Sequence, residues 1–241
     1  MTSETTGPDP ADASADASAR AAGPVTRWTV VIPAKAPSRG KTRLAPHVQP
    51  EARVALARAF ATDTISAAVA ARGVERVIVV GDDPSLARDA EFLEEPTGIA
   101  DGTGGPAGLT AAIAHGIAHA RSSESGAVAV LLGDLPCLRP ADLDAALAAA
   151  EGHPLAFVPD ADGSGTTLAT ARPGVGFAPR FGQDSAREHA AAGFARLEAS
   201  ARLRRDVDTL AALEAAIALG TGPATAHAVT LLADGGAAAQ A

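Results

Sequence analysis

Apolar residues in this chain fall into short unbroken runs, separated by stretches in which they recur every three or four positions. The runs at Thr29–Ile32, Val77–Val80 and Val128–Leu132 are continuous rather than alternating. That is the mark of strands covered on both faces. Between them, Glu51 to Ala71 spaces Val54, Leu56, Phe60, Ile65 and Val69 at helical intervals, and Leu109 to Ala120 and Ala141 to Ala150 are alanine-rich helix formers. The βαβαβ alternation predicts an α/β fold with a Rossmann-like parallel sheet and helices on both sides. In such sheets ligands collect at the carboxyl ends of the strands.

The second half is less regular. Leu155–Val158 and Thr167–Thr170 read as strands joined by the turn Asp160-Ala161-Asp162-Gly163-Ser164-Gly165. A short helix is expected after Ser185, then a strand ending near Asp206-Val207-Asp208, then a helix from Thr209 to about Leu219. No internal repeat is visible. Apart from Met1, residues 1–25 hold no large apolar side chain before Val25 and are expected to form a disordered tail. One domain is expected over 26–220. Residues 221–241 are expected to be a second, partly disordered tail, with Ala233 to Ala241 frayed.

Composition narrows the function classes. With 241 residues and 47% hydrophobic content the chain can bury a substantial core. Net charge is −8, of which the N-terminal tail supplies −3 (Glu4, Asp9, Asp12 and Asp16 against Arg20) and the body the remaining −5. This is the wrong sign for a general nucleic-acid binder. The single cysteine, Cys137, excludes an internal disulfide, and no apolar run approaches the roughly 18 residues of a membrane span. Lacking a charged-then-apolar leader, the chain is expected in the cytoplasm. Oligomeric state is not legible.

The basic residues are unevenly chosen. Eighteen are arginine, and the two lysines, Lys35 and Lys41, lie within seven residues of each other directly after the first apolar run. Lysine is a compact point charge where arginine is a planar fork. The segment Lys35-Ala36-Pro37-Ser38-Arg39-Gly40-Lys41-Thr42-Arg43 carries four cations in nine residues, with a glycine and two hydroxyls between them. It suits an oligophosphate. Gly40-Lys41-Thr42 ends like a P-loop, but Lys35 stands where that pattern needs its first glycine, and Pro37 lies inside the loop.

Acidic residues supply the complement. Leu131-Leu132-Gly133-Asp134-Leu135-Pro136 puts one carboxylate at the carboxyl end of a buried strand, a metal or ribose position, although Asp134 could instead cap the helix that follows. Asp206 and Asp208 are two apart, so in an extended chain both point to one face, which is unfavourable unless a cation sits between them. Asp208 could alternatively cap the helix from Thr209. Three carboxylates beside a cationic loop fit Mg²⁺ bridging protein and nucleotide phosphates. Gly163-Ser164-Gly165-Thr166-Thr167 and Phe181-Gly182-Gln183-Asp184-Ser185 offer backbone N–H groups and hydroxyls for a second substrate, though each alone is an ordinary turn. His115 and His119 lack the third ligand of a zinc site, Cys137 has no obvious base, and no serine sits in a nucleophile-elbow pattern.

Taken together, the motifs resemble the phosphoenolpyruvate/2-phospholactate guanylyltransferase family of coenzyme F-420 biosynthesis. The resemblance runs through Ile32-Pro33-Ala34-Lys35, Gly40-Lys41-Thr42-Arg43-Leu44, Gly108-Leu109, Gly133-Asp134-Leu135-Pro136, Gly165-Thr166-Thr167, Phe181-Gly182-x-x-Ser185 and Asp206-Val207-Asp208-Thr209, in that order. Thr110 departs from the asparagine that members commonly carry after Gly-Leu. The resemblance implies a Rossmann-like nucleotidyltransferase of the nucleotide-diphospho-sugar transferase type, a three-layer sandwich around a mainly parallel mixed sheet. It implies that Asp134, Asp206 and Asp208 hold Mg²⁺, that Thr166, Gly182 and Ser185 bind the phosphorylated three-carbon acid, and that Lys35, Lys41 and Arg43 meet the GTP phosphates beside Gly108 and Leu109. Lys35, Lys41 and Asp134 are then the catalytic expectations. The implied reaction is guanylyl transfer from GTP to phosphoenolpyruvate, favoured because the arginine-rich, alanine-rich composition suggests a GC-rich actinobacterial source. The alternatives are 2-phospho-L-lactate as acceptor, a P-loop-type NTPase, and a non-catalytic GTP-binding module.

Overall fold

The computed structural model describes residues 26–34, 48–96, 106–122 and 126–238. In chain order these form β1 (Trp28–Ala34), α1 (Pro50–Val69), β2 (Val74–Gly81), β3 (Glu91–Glu94), α2 (Pro106–Ser122), β4 (Ala127–Leu131), α3 (Pro140–Ala150), β5 (Leu155–Pro159), β6 (Thr166–Ala171), α4 (Ser185–Ala191), β7 (Ala195–Arg196), α5 (Ala201–Arg204), α6 (Leu210–Leu219) and α7 (Pro223–Ala238). The strands make one sheet ordered β3-β2-β1-β4-β6-β5-β7. Strands β3, β2, β1 and β4 run parallel, and β6 is antiparallel to both of its neighbours. The continuous apolar runs are central strands, as two-sided burial requires: every residue of β1 and β4 is buried.

Alternation along each strand sends successive side chains to opposite layers. Trp28, Val30 and Ile32 meet α1 and α3 in one core, while Val31, Val128 and Val130 meet α2 in the other, together with Phe157, Phe177, Phe181 and Phe194. A third apolar cluster lies on the outer side of α1, where Leu56 and Phe60 pack against Val207, Leu213, Ala216 and Ala228. The fold is therefore the expected three-layer α/β sandwich with an extra helical layer over α1. No helix of the described residues is long and apolar enough to cross a membrane.

Two expectations are corrected. Residues 205–208 are not a strand; they follow the short α5 as an irregular segment. The 221–241 segment is not simply a tail, because α7 occupies Pro223–Ala238. Its first turn is held by Asp63 of α1, whose buried carboxylate accepts from the N–H groups of Ala224 (3.0 Å) and Thr225 (2.8 Å). The capping group thus lies about 160 residues away in sequence, where no local signal can show it. The edge strands β3 and β7 also escape periodicity, being only four and two residues long.

Helix α2 approaches the sheet closely at Gly116, where an added Cβ would stand 2.4 Å from Val31 Cγ1 and 2.8 Å from Val80 Cγ2. Gly116→Ala would gain about 1 kcal/mol of helix propensity. Overpacking against two β-branched side chains costs about 1–3 kcal/mol and should win. A lowered Tm in thermal unfolding is expected; a Tm at or above that of the parent protein would show that α2 can lift from the sheet without loss.

Candidate active site

Parallel strands β1 and β4 are neighbours, yet from β1 the chain turns first toward β2 and later returns to β4 on the other side. Their carboxyl ends flank the switch point where open α/β sheets bind ligands. Ala34 ends β1, so Lys35 is the next residue; Lys35, Lys41 and Arg43 lie outside the described residues. Leu131 ends β4, and Gly133-Asp134 follows at once.

The backbone around Asp134 is pinned from four directions. Leu132 N–H donates to the Thr167 carbonyl (2.9 Å), and Val207 N–H donates to the Asp134 carbonyl (3.2 Å). Leu135 N–H donates to Thr64 Oγ1 (3.0 Å), and Gly222 N–H donates to the Pro136 carbonyl (2.8 Å). The Val207 bond carries Asp206 and Asp208 to the end of β4, with Val207 fully buried and both aspartates half-exposed on either side of it. The N-cap positions of the two helices that follow are held by other residues. Arg139 is the N-cap residue of α3, its N–H bonded to Asp142, and Thr209 caps α6 by accepting from Ala212 N–H at 3.2 Å. Among the described residues, however, no three acidic, histidine or cysteine side chains cluster as a metal-holding group. The three aspartates are brought to one region through their backbone without forming a closed cage.

The second half of the site is built on the β5–β6 hairpin. Asp160 closes its turn, Oδ1 accepting from Ser164 N–H (3.0 Å) and Oδ2 from Gly165 N–H (2.8 Å). Arg204, two residues before Asp206, donates to the carbonyls of Pro159 (3.2 Å) and Asp160 (2.9 Å), tying the acidic segment to this turn. A β-bulge follows: Val158 pairs with Leu168, but Pro159 pairs with Thr166. The slip moves Thr166 to the opposite face from regular pairing, because side chains alternate with period two. Thr166 thereby meets His189 of α4, its Oγ1 3.0 Å from Nδ1. Thr167 instead lends its carbonyl to Leu132, and its buried hydroxyl has no hydrogen-bond partner among the described residues.

His189 was not legible as a site residue, although it stands four residues after Ser185 on the same helical face. It is fully buried, and Nδ1 lies 2.8 Å from the Ser185 carbonyl while Nε2 accepts from Arg180 N–H at 2.9 Å. Burial pushes its pKa down to about 4; the bond to the Ser185 carbonyl opposes this and the Arg180 charge adds to it. Ser185 is itself buried, and the turn before it is tightly wound, with φ +135° at Gly182 and +54° at Asp184. No Cβ-bearing residue adopts the Gly182 conformation cheaply. Thus Thr166, Gly182 and Ser185 are gathered into one region. Gly108 and Leu109 sit half-buried in the first turn of α2, with Leu109 packed on the α2-side core.

Two of the discounted residues have other work. His119 Nε2 lies 2.5 Å from Glu91 Oε1, and the buried Cys137 thiol donates to the Ala216 carbonyl at 3.1 Å. Burial raises the Cys137 pKa, against nucleophilic use.

The chain is similar to known proteins. Residues 52–216 match the family model of the MobA-like NTP transferase domain. The chain is 46% identical over 235 residues to the phosphoenolpyruvate guanylyltransferase of Sanguibacter keddieii, covering 82% of each chain. It is 48% identical over 203 residues to the protein of that name from Streptomyces coelicolor, covering 83% of this chain and 94% of that one. Among solved structures, one from Desulfovibrio desulfuricans G20, assigned to the nucleotide-diphospho-sugar transferases, superposes with a TM-score of 0.57 at 18% identity over 76% of this chain and 83% of that one. This last likeness establishes the fold.

The buried imidazole also predicts an acid response. Its pKa of about 4 lies below the ordinary value near 6.5, so the unfolded chain takes up the proton first as pH falls. The stability tied to neutral His189 is complete above about pH 6.5 and is lost down to about pH 4, a change on the order of 3 kcal/mol. Denaturant unfolding of wild type and His189→Gln between pH 7.5 and 4.5 should show a shallower acid loss in the variant; parallel curves would refute the assignment.

Proposed function

The chain belongs to the MobA-like NTP transferase domain family and, within it, groups with the phosphoenolpyruvate guanylyltransferases; from this premise we infer that it transfers GMP from GTP to phosphoenolpyruvate, releasing pyrophosphate. One observation carries the reading: the chain's two lysines follow β1 directly or closely, while Asp134 follows the neighbouring parallel strand β4. In sequence the cationic segment begins where β1 ends, and Asp134 follows the end of the neighbouring β4, which supports the reading. The product would be enolpyruvoyl-2-diphospho-5′-guanosine, a precursor on the route to coenzyme F-420.

The chemistry needs no nucleophilic side chain. A phosphate oxygen of the acid attacks the α-phosphorus in line, the bond to the β-phosphate oxygen breaks, and pyrophosphate departs. Two anions must meet, so neutralising charge and aligning the reactants are the main tasks. Lys35, Lys41 and Arg43 would meet the GTP phosphates, with Gly108 and Leu109 beside the nucleotide. Thr166, Gly182 and Ser185 would receive the acid.

The donor set of Asp134, Asp206 and Asp208 fits a hard divalent cation, which takes oxygen ligands. Mg²⁺ is usually held by one or two carboxylates together with substrate phosphates, so the lack of a closed three-carboxylate cage among the described residues suits a cation shared with GTP. When bound, Mg²⁺ would supply positive charge against the phosphates.

Purified protein with Mg²⁺, GTP and phosphoenolpyruvate should release pyrophosphate faster than with 2-phospho-L-lactate. Orthophosphate release would favour an NTPase, and no release with either acid would sink the transferase reading. Asp134→Asn preserves shape and the backbone bonds, so it should leave Tm near that of wild type while lowering kcat by about 10² or more; near wild-type turnover would remove Asp134 from the site. Lys35→Arg and Lys41→Arg keep charge but alter shape and hydration. Raised KM for GTP is expected in steady-state kinetics, and full activity in both would deny the lysines a special role.

A further inference from the structure

We propose that His189 is a positioning residue of the acid-binding half of the site, whose neutral imidazole makes Thr166 a hydrogen-bond donor and holds the Arg180–Ser185 turn against the start of β6. The inference rests on the reading that Thr166, Gly182 and Ser185 receive the three-carbon phospho-acid.

The argument follows from which atoms can donate. Arg180 N–H is a donor, and its bond to His189 Nε2 at 2.9 Å requires that nitrogen to carry a lone pair. The ring proton therefore resides on Nδ1. Nδ1–H donates to the Ser185 carbonyl at 2.8 Å, an oxygen that can only accept. Thr166 Oγ1, 3.0 Å from the same nitrogen, can meet it only as an acceptor. The Thr166 proton is consequently not spent on the imidazole. A phospho-acid anion presents acceptors, so a hydroxyl held in donor polarity is what it requires. With the opposite tautomer, Thr166 would give its proton to the ring and turn a lone pair toward the anion.

The ring is also prevented from turning over. Phe157 stacks on it with centroids 5.4 Å apart and planes inclined by 20°. Phe181 and Phe194 contact it edge-on at 5.5 Å and 4.8 Å. Phe181 adjoins Gly182, so the same packing seats the turn. Three segments meet on one imidazole: the start of β6 through Thr166, the loop before α4 through Arg180, and α4 through Ser185.

The test is a split between the two Michaelis constants. His189→Gln and His189→Asn, assayed by pyrophosphate release, should raise KM for phosphoenolpyruvate about tenfold or more while changing KM for GTP less than about twofold. If wild type turns over but both constants move together, or the KM for the acid is unchanged, His189 is no more than a packing residue. No release by wild type would instead sink the transfer reading, and this inference with it. Should both variants fail to fold, wild-type protein labelled with ¹⁵N-histidine answers the question. Its imidazole should show the Nδ1–H tautomer, and its signals should shift when phosphoenolpyruvate is added with a non-transferable GTP analogue. An Nε2–H tautomer, or signals unmoved at saturation, would overturn the proposal.

Discussion

The backbone between Leu132 and Pro136 is the constraint on which the rest depends. It leaves the carboxyl end of a central strand, where strand pairing has ended and much of the chain is still shielded from water. Polar groups there must find partners or cost about 1–3 kcal/mol each. The partners come from β6, α1, the segment after α5 and the loop before α7, through Thr167, Thr64, Val207 and Gly222. Satisfying this short stretch therefore obliges remote parts of the chain to converge on Asp134. The candidate site is a by-product of closing the sheet's end.

Strand direction does the second part of the work. Because β6 is antiparallel, its first residue lies at the same end of the sheet as the carboxyl ends of β4 and β5. The hairpin turn from Asp160 to Gly165 thus faces the same edge as Asp134, which an all-parallel sheet would deny it. The bulge at Thr166 and Thr167 then divides two adjacent, chemically identical residues. One turns its hydroxyl to His189 and the other lends its carbonyl to Leu132. Sequence reasoning had no means of separating them, since a bulge is a property of pairing rather than of composition.

Legibility follows the same division between local and remote causes. The central strands, α1, α2, α3 and the β5–β6 hairpin could be read because burial on two faces or one leaves a periodic trace. The role of Asp63 could not, because it caps a helix on the far side of the sequence. Helix α7 looked like a tail for that reason, its alanine and glycine content giving little sign of a packed face. The acidic pair was recognised by its spacing although its segment proved irregular; Val207, buried between two half-exposed aspartates, keeps the alternation without a strand. His189 was hidden because a lone histidine in a short helix has no local feature that separates a hub from a core residue.

A neutral hub suits the proposed chemistry better than a charged one. A second proton on His189 would remove the acceptor for Arg180 N–H and bury a cation between three aromatic rings, with no acidic partner beside it among the described residues. Burial disfavours that state, and the turn would have to open to relieve it. The imidazole therefore contributes direction instead of charge. On the proposed reading, charge would fall to the lysines and to a cation held by the aspartates, which would meet the phosphates during transfer. Separating the two duties has a physical reason: an orienting group must stay fixed while reactants reorganise, whereas a group meeting newly formed charge must lie where that charge appears. On that reading the orienting duty would lie in the aromatic pocket around His189 beneath β6, and the electrostatic duty at the carboxyl ends of β1 and β4.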